Sequence, residues 1–262
     1  MASACVQGAS HIRNNMPCQD ALRAEKIKRC HIVSLSDGHG SAACPFSDEG
    51  SKIAVDTACS VFGSIFSKGD SFQTISANKD IWLPKQIEQH WKTAVQAVHK
   101  ERERDPPQDD GPFPYELYGA TLLTLVAADD FIFALQLGDG DILSVAVTEE
   151  GENVDWVIPP DGHLGPETHS LCQDECWQYM QTRILRLDKG EKAPMFLLST
   201  DGYANSFYND DGFKQAGLDF YKLLHNPDEG LSYVRENLEE WLTQSSEKGS
   251  GDDIALALVL EG

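Results

Sequence analysis

Apolar positions recur along this chain with two different periods. A short apolar run containing Ile32, Val33 and Leu35 predicts a strand over Arg29–Ser36. From Asp48 to Phe66 the spacing turns helical, with Ile53, Ala54, Ala58, Val61, Phe62, Ile65 and Phe66 on one stripe. Pro84 suits the first turn of a second helix, whose inner face would be Ile87, Trp91, Ala94, Val95 and Val98. The charged run Lys100–Arg104 reads as its solvated last turn, and the proline-rich, acidic Asp105–Pro114 as a surface loop. Strands are expected in succession at Leu117–Ala128, Asp130–Leu137 and Asp141–Val147, with hairpin-like turns at Asp129-Asp130 and Gly138-Asp139-Gly140. Asn153–Ile158 would extend this meander. Pro159–Tyr179 is irregular and reads as an exposed flap. Strands resume at Gln181–Leu187 and Met195–Ser199, helices at Phe213–Leu224 and Glu229–Leu242, and a last strand at Ile254–Leu260. Paired helices between groups of strands predict an α+β fold rather than a βαβ alternation. Two sheets packed together with helices outside would bury residues 1–262 as one domain.

Composition narrows the function classes. The chain has 262 residues, 41% hydrophobic and 24% charged, as expected of a soluble globular domain with one substantial core. Acidic residues number 42 against 21 basic, a net charge of -21, which repels nucleic acid and anionic membranes. The cleanest apolar stretch, Gly119–Ala128, is strand-sized, so no membrane span is expected. Met1–Ser10 lacks a basic segment followed by an apolar one, which reads as no secretion signal. The seven cysteines show no framework spacing and suit reduced thiols in the cytoplasm. Cys172-x-x-x-Cys176 has the spacing of half a zinc site, but no second pair completes it, and His163 and His169 are poorly spaced partners.

Acidic turns punctuate the apolar runs: Ser36-Asp37-Gly38-His39-Gly40, Gly138-Asp139-Gly140-Asp141, Thr200-Asp201-Gly202 and Gly251-Asp252-Asp253-Ile254. One Asp-Gly is a common hairpin turn. Four, three just after strands and one just before, would bring carboxylates to one rim if the strands lie side by side. Such carboxylates repel unless a cation joins them, and an all-oxygen set favours Mg²⁺ or Mn²⁺ over Zn²⁺. Two ions would acidify a shared water and neutralise a phosphate, which suits in-line attack on a phosphomonoester. His39, two residues from Asp37, would protonate the leaving alkoxide.

These motifs, with Ser10-His11, Pro17-Cys18-Gln19-Asp20-Ala21 and Tyr118-Gly119-Ala120-Thr121, resemble in order those of the metal-dependent protein phosphatases of the protein phosphatase 2C type, bacterial branch. The resemblance runs from about residue 8 to residue 260. It implies a four-layer α-β-β-α sandwich of two mainly antiparallel sheets flanked by helices. It also implies hydrolysis of phosphoserine and phosphothreonine in proteins, opposite a serine/threonine kinase, by a monomer. By motif match Asp37 would bridge two Mg²⁺ or Mn²⁺ ions and the Gly38 carbonyl would bind one. Asp201 and Asp252 would complete the other shell. Asp20 would orient bound waters, and Gln19, which stands where many members have Glu, would count among the metal residues. Asp139 would help to hold a weaker third ion, and His39 matches the general acid.

The chain departs from the pattern in three places. Asn15 replaces the usual phosphate-gripping Arg, leaving Arg13 or His11 to contact the phosphate. Gly140-Asp141 replaces a Ser-Arg pair, and Asn205 an Asp. Asp161-Gly162-His163 imitates the Asp-Gly-His pattern but reads as a turn in the flap. A phosphoprotein-binding relative without activity is the alternative reading, and a two-metal nuclease is disfavoured by the charge.

Overall fold

The computed structural model describes residues 1–68, 71–102, 111–160, 168–187, 194–227 and 230–260. In these residues the chain runs β1 (Ala2–Val6), α1 (Ala9–Asn14), β2 (Ala21–Ile27), β3 (Cys30–Ser36), α2 (Ser47–Lys68), α3 (Ser71–Asn78) and α4 (Trp82–Glu101). It continues through β4 (Leu122–Ala128), β5 (Phe131–Leu137), β6 (Asp141–Thr148), β7 (Gly151–Trp156), β8 (Gln181–Arg186) and β9 (Met195–Ser199). It ends with α5 (Asp201–Ala204), α6 (Asp210–Leu224), α7 (Gly230–Lys248) and β10 (Ile254–Leu260). The strands form two five-stranded antiparallel sheets, ordered β2-β3-β4-β5-β8 and β1-β10-β9-β6-β7.

The central strands are apolar on both faces because each face meets a different core. On β5, Phe131, Phe133, Leu135 and Leu137 join Phe62, Ile87 and Trp91 of α2 and α4. The alternate residues Ile132 and Ala134 face the other sheet, against Phe196, Leu198 and Ala257. Beyond that sheet, Leu197 and Leu256 pack on Phe213, Leu218, Val234 and Leu238 of α6 and α7. Three apolar seams therefore separate four layers, helix, sheet, sheet and helix, in agreement with the expected α+β sandwich. Among the described residues no helix is long and apolar enough to cross a membrane.

Several local expectations need correction. The strand expected from Leu117 begins at Leu122; Tyr115–Tyr118 form a 3₁₀ turn, and Ala120 makes only an isolated bridge with Gly38. Gly138-Asp139-Gly140 is not a hairpin turn. It carries the chain from β5 in one sheet to β6 in the other, so Asp139 stands at the mouth of the sandwich. β1, β2, α1 and α3 escaped the apolar pattern. β2, Ala21–Ile27, is only partly buried along its length, and its pairing with β3 fixes it. The Lys100–Arg104 turn, the Asp105–Pro114 loop and the flap lie partly outside the described residues, and Asp161-Gly162-His163 lies wholly outside them.

Candidate metal centre

The candidate residues leave the sheets at one end of the sandwich. Asp37 follows β3, Asp139 follows β5, Asp201 begins α5 just after β9, and Asp252 precedes β10. Asp37, Asp139 and Asp201 each bring a carboxylate oxygen within 4.8 Å of the others. Asp37 is fixed by its backbone: its N–H donates to Thr121 Oγ1 at 3.0 Å and its carbonyl accepts from Thr121 N at 2.8 Å. Gly38 N donates to Gln19 O at 3.1 Å. Among the described backbone hydrogen bonds none ends on the Gly38 carbonyl. Asp201 lies under the closest backbone approach in the centre. A Cβ on Gly202 would stand 2.0 Å from the Asp253 carbonyl oxygen, so only glycine lets α5 seat against β10.

The electrostatics follow from this crowding. Burial, then the charges of Asp20, Asp201, Asp252 and Asp139, push the Asp37 carboxyl well above its usual range. Burial, then Asp139 and Asp252, push Asp201 up to about 7. Asp252 acts on both from nearby but is not one of the three within 4.8 Å of one another, and its side chain is half exposed. Carboxylates gathered this closely could hold a cation. Oxygen ligands without thiolate fit Mg²⁺ or Mn²⁺.

Asp20 is buried beside this group, where Thr200 Oγ1 donates to its Oδ2 at 2.6 Å. Burial raises it strongly, the Thr200 hydrogen bond opposes that, and Asp253 adds to it. Gln19 is buried too. Its Nε2 donates to Ser47 Oγ at 3.2 Å, and its Oε1 is buried without a partner beneath Gly40. His39 N donates to Gly119 O at 3.1 Å, and the ring packs against Gly119. Burial lowers its pKa while the nearby Asp139 charge raises it.

The two phosphate-contact candidates separate. His11 is engaged by carboxylates: Nδ1 lies 2.7 Å from Asp253 Oδ2 and Nε2 lies 3.5 Å from Asp252 Oδ1. Arg13 lies exposed on α1, with its guanidinium beside Gly251. Asn15, at the position where an Arg was expected, is the left-handed C-cap of α1, with φ 53° and its N–H on Ile12 O. Asn tolerates that conformation far better than long side chains do.

Sequence reasoning gave no role to Asp253, Thr121, Thr200 or Thr168. Asp253 is 3% exposed and accepts from Gly8 N at 2.6 Å and Gln19 N at 2.6 Å, besides facing His11. It ties α1 and the Gln19-Asp20 segment to the root of β10. Its place beside Asp252 was the only signal. Thr168, in the middle of the flap, donates to Asp139 Oδ2 at 2.5 Å. Asp141 turns toward the outer layer, accepting from Trp156 Nε1 at 2.9 Å, and burial raises it to about 6. Asn205 Nδ2 donates to Asp201 Oδ2 at 3.0 Å. Cys172 lies with Cys44 against Gly119 and makes no metal cluster with Cys176 among the described residues.

Comparison with known proteins fits this arrangement. The family profile described as protein phosphatase 2C matches residues 7–243. No curated protein matches the sequence. Among solved structures, the chain is similar to the Streptococcus agalactiae serine/threonine phosphatase, with 18% identity, 100% of this chain and 98% of that one covered, and a TM-score of 0.61. It is similar to the serine/threonine phosphatase Stp1 from Staphylococcus aureus, with 16% identity, 98% and 93% covered, and a TM-score of 0.62. It is similar to the Mycobacterium tuberculosis serine/threonine phosphatase PstP/Ppp, with 13% identity, 100% and 98% covered, and a TM-score of 0.59. At these identities the likeness shows the shared fold.

Proposed function

The chain belongs to the protein phosphatase 2C family, and from that premise we propose that it is a Mg²⁺- or Mn²⁺-dependent protein serine/threonine phosphatase acting on phosphoproteins. One observation carries the reading: Asp37, Asp139 and Asp201 converge from three strand ends to within 4.8 Å. Asp37, the Gly38 carbonyl, Asp201 and Asp252 would hold two ions. Asp139 would hold a weaker third, steadied by Thr168. When bound, the ions supply Lewis-acid neutralisation of the phosphate and lower the pKa of a coordinated water.

The remaining work falls to the chain itself. Asp20, kept in place by Thr200, would accept hydrogen bonds from waters at the centre, and Gln19 would set the backbone beside it. His39 would pass a proton to the leaving Ser or Thr oxygen; burial lowers its pKa, and the Asp139 charge partly opposes that. Arg13, whose guanidinium lies beside Gly251, would meet the phosphate. His11, turned onto Asp252 and Asp253, would position them instead. The described part of the flap borders Asp139 and would help to select the peptide.

The experiment is phosphate release from a phosphothreonine peptide in Mn²⁺, beside an Asp37→Asn control. Turnover at or below the control at every metal concentration would remove the proposal. Phosphopeptide binding without turnover, unchanged by Asp201→Asn, would favour a non-catalytic binding protein of the same fold.

A further inference from the structure

We propose that Cys5 and Cys18 form an oxidation site, a thiol pair that closes to an intrachain disulfide. β1 is the edge strand of its sheet, and the segment leading to Gln19 touches its C-terminal end. Cys18 Sγ lies 3.8 Å from Val6 O, and Cys5 Sγ lies 3.5 Å from Asp20 O. Gln7 Nε2 donates to Met16 O at 2.5 Å, fixing the same alignment. The two sulfurs stand 3.9 Å apart. A disulfide needs about 2.05 Å, so each sulfur moves by roughly 1 Å, within reach of a side-chain rotation.

The pair is also open to solvent. Cys5 is exposed, Cys18 and Cys172 are partly exposed, and Cys30, Cys44, Cys59 and Cys176 are buried, so Cys172 has the buried Cys44 and Cys176 as near partners whereas Cys18 has the exposed Cys5. The oxidant class is a hydroperoxide such as hydrogen peroxide. The exposed Cys5 sulfur attacks one peroxide oxygen, giving a sulfenic acid and one water. Cys18 sulfur then attacks the Cys5 sulfur, the S–S bond forms, and the hydroxyl leaves with the Cys18 proton as a second water. Two electrons pass from the two thiols to the peroxide. The neighbouring Cys18 sulfur holds the Cys5 thiol above its usual range. The product closes a loop around α1, which carries His11 and Arg13, and ends beside Gln19. The inference stands whether or not the chain hydrolyses phosphate.

The test treats the full reduced chain with hydrogen peroxide and follows it by intact mass and peptide mapping. The expected product has lost two hydrogens, joins the Cys5 and Cys18 peptides, and reverts with dithiothreitol. Its thermal midpoint rises by on the order of 5 °C, as closing a loop of this size implies. Cys5→Ser and Cys18→Ser should each abolish the product. A disulfide mapped elsewhere, covalent dimers through Cys5, or Cys5 passing to sulfinic acid while Cys18 stays a thiol would each overturn the proposal. Should a serine variant fold poorly, differential alkylation of the unaltered chain decides. Concerted loss of both thiols supports the pair, and independent loss refutes it.

Discussion

At the scale of single residues, the centre rests on carboxylates whose surroundings decide their roles. Asp37 is locked to Thr121 and crowded by four other aspartates, whereas Asp139 sits exposed at a turn. Asp37→Ala should therefore abolish phosphate release, while Asp139→Ala should mainly raise the Mn²⁺ concentration needed for half-maximal rate. Equal losses with unchanged metal dependence would contradict the separate roles. Asp253→Ala would leave Gly8 N, Gln19 N and His11 without their buried acceptor. It should cost about 2–4 kcal/mol in denaturant unfolding. These residues differ in legibility. Asp37, Asp139, Asp201 and Asp252 stood out because each flanks an apolar run. Asp253 did not, because nothing in Asp252-Asp253 tells which carboxylate turns inward. Arg13 and His11 were indistinguishable by spacing, and only the closeness of Asp252 and Asp253 separates them.

At the scale of elements, the crossover between β5 and β6 matters most. Gly138 has φ 101°, and a Cβ there would stand 2.6 Å from Thr121 Cγ2. Gly138→Ala should destabilise the fold by more than about 1 kcal/mol and disturb Asp139, visible as a higher Mn²⁺ requirement. An unchanged metal titration would show that the turn does not position Asp139. The seam between β5 and the α2–α4 layer depends on large side chains with no exposure, such as Phe133. Phe133→Ala should cost about 3–5 kcal/mol in chemical unfolding. The helices and central strands were legible because their apolar positions repeat with clear periods. β1, β2 and α1 were not, because they are short or half exposed and are held by partners distant in sequence. The β5–β6 turn was misread because Gly-Asp-Gly serves a hairpin and a sheet-to-sheet crossover equally well.

At the scale of the whole molecule, the carboxylate group couples stability to pH and metal. The Asp201 carboxyl stands at about 7 in the fold against 3.8 ordinarily, and Asp37 is raised too. A raised acid contributes its stability below the ordinary value and loses it as pH rises through the folded one. The metal-free protein should thus lose stability between about pH 4 and 7, as the group ionises without a counter-charge. Added Mn²⁺ should raise the thermal midpoint more at pH 7.5 than at pH 5.5, read by differential scanning fluorimetry. An equal shift at both values would mean that these carboxylates do not meet the ion.

By itself the sequence determined the α+β class, the long helices α2, α4, α6 and α7, the central strands and a set of acidic turns at their ends, because those signals are local and periodic. Only the tertiary structure decided that Gly138-Asp139-Gly140 crosses between sheets, that Asp253 points inward, and that His11 faces carboxylates. It also decided that Cys5 lies against Cys18. Each of these depends on which strand ends lie side by side, a matter of long-range pairing and burial that no local pattern encodes.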